Sequence, residues 1–124
     1  MLLPLKESLE STLANVAKNE TLFVAYLASV DPRTKQPWCP TVRAALPLFN
    51  NAFNSSKKLN VVHVYVGNMP QWKTPHNEFR VKFGISAVPT LGKYTRDAQG
   101  NLKTSLLVDY DCLDANKFSK FIDI

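Results

Sequence analysis

The stretch TLFVAYLASVDPRTKQPWCPTV, Thr21 to Val42, decides how the rest of the chain is read. Its first part, Thr21 to Ser29, is a continuous apolar run holding Leu22, Phe23, Val24, Tyr26 and Leu27. A run this short and this rich in strand formers predicts a strand covered on both faces. Val30 to Pro37 then carries two prolines, an Asp31-Pro32 step and three charges, and predicts a loop projecting from the strand's end. Trp38-Cys39 closes that loop. Helical spacing follows at Val42, Ala45, Leu46, Phe49 and Phe53 and ends at Asn54-Ser55-Ser56, with Pro47 expected to kink the helix.

A cysteine at the first turn of a helix gains from its position, because unpaired backbone N–H groups and the positive end of the helix dipole favour a thiolate. Cys39 is so placed. Pro40 follows where its missing N–H costs nothing, and Trp38 could shield one side of the sulfur. The competing reading is a small apolar residue closing the core, since cysteine is among the residues most often buried. About fifty residues downstream, Val88-Pro89-Thr90 leads into a strand, and the Val88-Pro89 bond is a candidate for the cis form.

Working outward, Leu5, Leu9, Leu13, Val16 and Ala17 line one face of a predicted helix from Leu5 to about Lys18, ended by Asn19-Glu20. Val61 to Val66 reads as a second strand, broken by Gly67-Asn68, and Asn68 to Asn77 as loop. A short helix over Asn77 to Phe83 precedes a strand from Leu91 to Tyr94. The Asp97 to Asn101 turn joins it to another from Leu102 to about Tyr110. Asp111 or Asp114 can cap a last helix containing Leu113, Phe118, Phe121 and Ile122. This order predicts an α/β fold, with a central mixed sheet of about four to five strands flanked by helices.

The 124 residues, 45% hydrophobic, fit a single domain over residues 1–124. No apolar run reaches the roughly 18 residues needed to cross a bilayer, so no membrane association is expected. Pro4, Lys6 and Glu7 interrupt the start too early for a secretory signal. The net charge of +5 is spread thinly, only Lys57-Lys58 being adjacent, and reads as a solvated surface; no nucleic acid is expected as partner. Two cysteines are too few for a disulfide scaffold and too far apart in sequence for a zinc pair, which points to a reducing, cytoplasmic setting; a monomer is expected. His63, mid-strand between valines, reads as a packed or edge histidine, and His76 belongs to a polar loop. With no Gly-rich phosphate loop or metal-ligand cluster, no cofactor and no metal is implied.

Trp38-Cys39-Pro40 after a buried strand, with Val88-Pro89-Thr90 opening a later one, resembles the thioredoxin superfamily. Within it, the long loop from Ser29 to Pro37, the segment Val66 to Lys73, Asn77-Glu78-Phe79-Arg80, Ala87 to Leu91 and Cys112-Leu113 resemble the thioredoxin domain-containing protein 17 family. The resemblance implies the thioredoxin fold and a substrate groove at Cys39, Trp38, Pro40, Thr41, Val88 and Pro89, with Trp72 read either as a further wall or as plain packing. In that family the site reads Trp-Cys-Pro-Asp-Cys, and its second cysteine resolves the mixed disulfide. Here Val42 stands in the resolving position and Thr41 in place of the acidic residue, and the buried aspartate of typical thioredoxins falls near Ala25. Removing a nearby negative charge favours the thiolate.

This sequence cannot run the dithiol cycle at Cys39. By family topology Cys112 lies two strands away, about 10 Å, beyond the roughly 7 Å Cα separation a disulfide tolerates, so it reads as a structural thiol. Two functions remain open. One is a monothiol protein exchanging disulfides through Cys39, with a disulfide-containing protein or a small thiol such as glutathione as partner, and a thioredoxin reductase as a further candidate. The other is a redox-inactive binding or scaffold domain that kept the fold. A substitution made to trap mixed disulfides would more usually be serine or alanine at position 42.

Overall fold

The computed structural model describes residues 1–124. In chain order the elements are α1 (Leu9–Ala14), β1 (Thr21–Leu27), β2 (Val30–Asp31), β3 (Gln36–Pro37), α2 (Pro40–Ser55), β4 (Asn60–Tyr65), α3 (Met69–Lys73), α4 (Glu78–Val81), β5 (Thr90–Arg96), β6 (Leu102–Val108), a 3-10 turn (Asp109–Leu113) and α5 (Ala115–Phe121). The main sheet has the order β4-β1-β5-β6. The pair β1/β4 is parallel, while β1/β5 and β5/β6 are antiparallel. This is the mixed, helix-flanked sheet that the sequence predicts.

β1 is the central strand because both of its faces are covered, and six of its seven residues are buried. On one face Phe23 meets Phe53 of α2 and Phe121 of α5, with centroids 5.3 and 6.3 Å apart. Phe49 and Phe118 stack at 5.6 Å to join the two helices. Alternation turns Tyr26 to the other face, where it packs on Phe79 and its hydroxyl lies 2.6 Å from that of Tyr94. Tyr94 reaches it by leaning across Gly92, where a Cβ would sit 2.6 Å from its ring. Two buried hydroxyls thus satisfy each other, which spares each an uncompensated desolvation. Pro47 lies on the exposed side of α2, which continues through it from Pro40 to Ser55.

Three local expectations need correction. The first helix begins at Leu9, not Leu5, because the Ser8 side chain accepts from Ser11 N and caps it there. The residues ahead of it run beside β4 instead, with Leu3 N donating to Val61 O at 2.8 Å. The Val30–Pro37 loop is an ordered hairpin of β2 and β3, closed by Lys35 N donating to Asp31 O at 2.7 Å. The loop expected over Asn68–Asn77 contains α3, whose Asn68 and Gln71 side chains cap it reciprocally. His63 lies half-buried in edge strand β4, and burial pulls its pKa below the usual histidine value.

Candidate functional site

Cys39 is the N-cap residue of α2, in extended conformation, with Pro40 at the first helical position. Its carbonyl accepts the first helical bond, from Arg43 N at 3.1 Å. The approach to the helix is fixed by its neighbours. Ser29 N donates to Gly67 O at 3.2 Å, Gly67 N to Ser29 Oγ at 2.9 Å, and Trp38 N to Ser29 O at 3.3 Å. Trp38 Nε1 donates to the same Gly67 carbonyl at 2.9 Å. Gly67 serves here because its φ is +114°, a conformation that L side chains rarely adopt. The tryptophan is therefore held in place beside the sulfur.

The Val88–Pro89 peptide is cis, and Cys39 Sγ lies 3.8 Å from the Val88 carbonyl oxygen. The two motifs that are 49 residues apart in sequence thus meet at one sulfur contact. The Val88 carbonyl enters no backbone hydrogen bond, and both Val88 and Pro89 are buried. Thr90 Oγ1 donates to Ala87 O at 2.7 Å and Asp109 N to Pro89 O at 2.7 Å, which pins the segment from both sides. Cys39 is half-buried, Thr41 half-buried and Pro40 exposed. Val42, one turn below the sulfur, is fully buried, as is Ala25 on β1.

Trp72 does not join this group. It is buried in α3, with the Arg80 guanidinium 3.8 Å over its ring and Arg80 Nε donating to its carbonyl at 2.7 Å. The exposed apolar residue of that helix is Met69, which the sequence reading passed over. No three His, Cys, Asp or Glu side chains stand close enough together to hold a metal ion, and no helix is long and apolar enough to cross a membrane.

Cys112 sits in the 3-10 turn, fully buried, its sulfur donating to Leu107 O at 3.2 Å and to Pro89 O at 3.8 Å. The two thiols lie on either side of the same cis dipeptide, one half-open and one closed. Burial, with a smaller part from Asp109 and Asp111, pushes the Cys112 thiol up to about 12. A native thiol titration with an aromatic disulfide should therefore register Cys39 alone, the second thiol appearing only on unfolding. Because the folded state keeps a proton that the unfolded chain loses above about pH 8.5, stability should fall as pH rises from there toward 12. Thermal unfolding across that window, with Cys112→Ala showing a flatter profile, checks the assignment.

This geometry, a buried mixed sheet delivering a helix-capping cysteine to a cis-proline, defines a thioredoxin-fold protein. Solved structures agree on the fold: the thioredoxin of Plasmodium falciparum aligns at a TM-score of 0.64 with 16% identity, covering 98% of this chain and 86% of that one. The thioredoxin of Trichomonas vaginalis gives 0.62 with 16% identity, over 97% and 96%. At the sequence level, the thioredoxin domain of the thioredoxin domain-containing protein 17-like family matches residues 4–116, and the chain belongs to that family. Thioredoxin domain-containing protein 17 of Homo sapiens is 34% identical over 98 residues, 78% of this chain and 73% of that protein. Thioredoxin-like protein Clot of Arabidopsis thaliana is 33% identical over 99 residues, covering 73% and 74%.

Proposed function

We propose that this chain is a monothiol thiol–disulfide exchange protein working through Cys39. The observation that carries the reading is a half-buried cysteine at a helix start, its sulfur 3.8 Å from the carbonyl oxygen that precedes the cis-proline, with buried Val42 where a resolving thiol would stand. The Cys39 thiolate attacks one sulfur of a disulfide; that S–S bond breaks, a substrate thiolate leaves with the electron pair, and Cys39 holds the other half as a mixed disulfide. A second thiol, such as glutathione, gives up its proton to solvent and attacks the substrate-derived sulfur; a substrate–glutathione disulfide forms as the bond to Cys39 breaks and Cys39 leaves as thiolate. A second molecule of the small thiol then reduces the substrate–glutathione disulfide and leaves as glutathione disulfide, so two small thiols supply the two electrons and one protein cysteine suffices.

In this cycle Val88 offers its carbonyl to the backbone of an extended substrate, Pro89 abuts the reacting sulfurs, and Trp38, Pro40 and Thr41 frame the entrance. A thioredoxin reductase is the less suited regenerating partner, because Val42 leaves no disulfide at the site for it to reduce. A cytoplasmic thiol pool supplies what the cycle needs.

The test is intact-mass analysis after incubation with glutathione disulfide, comparing the parent protein with Cys39→Ser. One adduct should form on the folded parent, none on the variant, and reduced glutathione should remove it. No adduct on the folded parent would sink the exchange cycle and leave the redox-inactive binding domain as the reading.

A further inference from the structure

Between the β2–β3 hairpin and the start of α3 lies a groove of about 620 Å³, within the range of sites that hold a side chain or small ligand. Trp38, the residue preceding Cys39, forms one wall, which places the groove beside the residue next in the chain to the reacting cysteine. Val30, Pro32, Met69 and Pro70 supply further apolar surface. Val30 is 49% and Met69 42% exposed, so two large apolar side chains stand in water at the edge of the site. Both face the same cavity.

The walls are preformed. The hairpin is paired at Val30–Pro37 and Asp31–Gln36 and braced by Arg33 N donating to Asp31 Oδ1 at 2.8 Å. Trp38 is held by Gly67, and α3 is closed by its capping box. An occupant therefore need not order the surface it meets. The only charged groups lining the groove are Asp31 and Arg33, which face each other at 3.6 Å and leave no net charge. That suits an uncharged apolar side chain. It does not suit glutathione, which brings two carboxylates and no apolar side chain.

We propose that this groove makes Cys39 select peptide disulfides carrying a large apolar residue next to the reacting cysteine. The proposal rests on the exchange reading above and specifies its substrate class: the disulfide attacked is peptidic, while the thiol that later resolves it stays small. The apolar neighbour enters the groove over Trp38 and Met69, the peptide backbone meets Val88, and the substrate sulfur is brought onto Cys39 Sγ.

The test uses two neutral capped peptides, acetyl-Phe-Cys-Phe-amide and acetyl-Gly-Cys-Gly-amide, each as the mixed disulfide with thionitrobenzoate. Release of the coloured thiolate reports attack by Cys39, and the leaving group is the same in both. Burying one large apolar side chain predicts about a 10-fold faster second-order rate for the Phe peptide. Met69→Asp and Val30→Asp, both at exposed positions outside the core, should abolish the preference while the Gly peptide's rate stays within about twofold. Equal rates for the two peptides in the parent protein, or a preference that survives both variants, overturns the groove assignment alone. Release from neither peptide overturns the exchange reading, and the groove assignment falls with it. Concentration-dependent self-association that Met69→Asp removes would assign the groove to a second copy of the chain and overturn the proposal.

Discussion

Val42→Cys is expected to convert the site from a one-thiol to a two-thiol centre, with an internal disulfide forming on mild oxidation. Position 42 is three residues after Cys39 at the start of α2, and helix geometry sets their Cα atoms about 5 Å apart, inside the range a disulfide needs. Val42 is fully buried and close to cysteine in volume, so the exchange should cost less than about 1.5 kcal/mol. The kinetic effect is larger. With a thiol introduced at position 42, the mixed disulfide is resolved from within the molecule, and release of the substrate thiol should no longer depend on the concentration of added thiol. A gain of at least about 100-fold in that step at low thiol is a conservative use of intramolecular effective molarities. Intact mass should show loss of two hydrogens on oxidation, and stopped-flow release from a preformed mixed disulfide measures the rate. A variant that folds, stays reduced under oxidant and releases substrate only as fast as glutathione allows would mean that Cys39 and position 42 are not aligned as the helix start requires.

The parts of this site that sequence revealed are those set by local chemistry. Thr21 to Ser29 reads as a buried strand because both its faces are apolar, and that is how β1 is placed. Trp38-Cys39-Pro40 reads as a helix start because a proline at the first helical position costs no hydrogen bond. What sequence did not reveal depends on partners far along the chain or on competing local signals. Asn68 and Gln71 spell a capping box, but Pro70 and the five-residue length of α3 make the same stretch look like a loop. The resemblance offers Trp72 as a groove wall, whereas in α3 it turns inward and leaves Met69 at the surface. The hairpin over Val30–Pro37 depends on Lys35 at a φ of +60°, which no residue type at that position announces. Asp109 at +55° is similar: it ends β6 ahead of Tyr110, where the predicted strand would have closed, and sets Cys112 behind Pro89. Between them these turns decide which thiol is open and which is closed.

Replacing Arg96 by alanine should be strongly destabilising although the side chain lies outside the core. Its guanidinium donates to the carbonyls of Leu13 and Ala14 at 3.0 Å, to that of Val16, and to that of Gly100 at 3.0 Å. Three of these belong to the last turn of α1 and the residues just after it, some 80 positions earlier in the chain. A six-residue helix has no stability of its own, and α1 has no basic residue in its last turn. The strand therefore supplies both the hydrogen-bond donors and the positive charge that the helix end lacks. Losing a set of charge-assisted bonds of this kind should cost about 3 kcal/mol and lower Tm by roughly 10 °C. Arg96→Lys should recover less than half of that, because one ammonium cannot span carbonyls that a planar fork reaches together. Differential scanning calorimetry gives the magnitude, and amide hydrogen exchange gives the location: protection should fall first over Leu9–Ala14. The Cys39 site is built at the far end of β1, on bonds to Ser29, Gly67 and Val88 that Arg96 does not touch, so its mixed-disulfide chemistry should be unchanged below the new melting point. A loss under about 1 kcal/mol would mean that water serves the α1 carbonyls nearly as well as the guanidinium does, and that burial of Leu9 and Leu13 alone docks the helix.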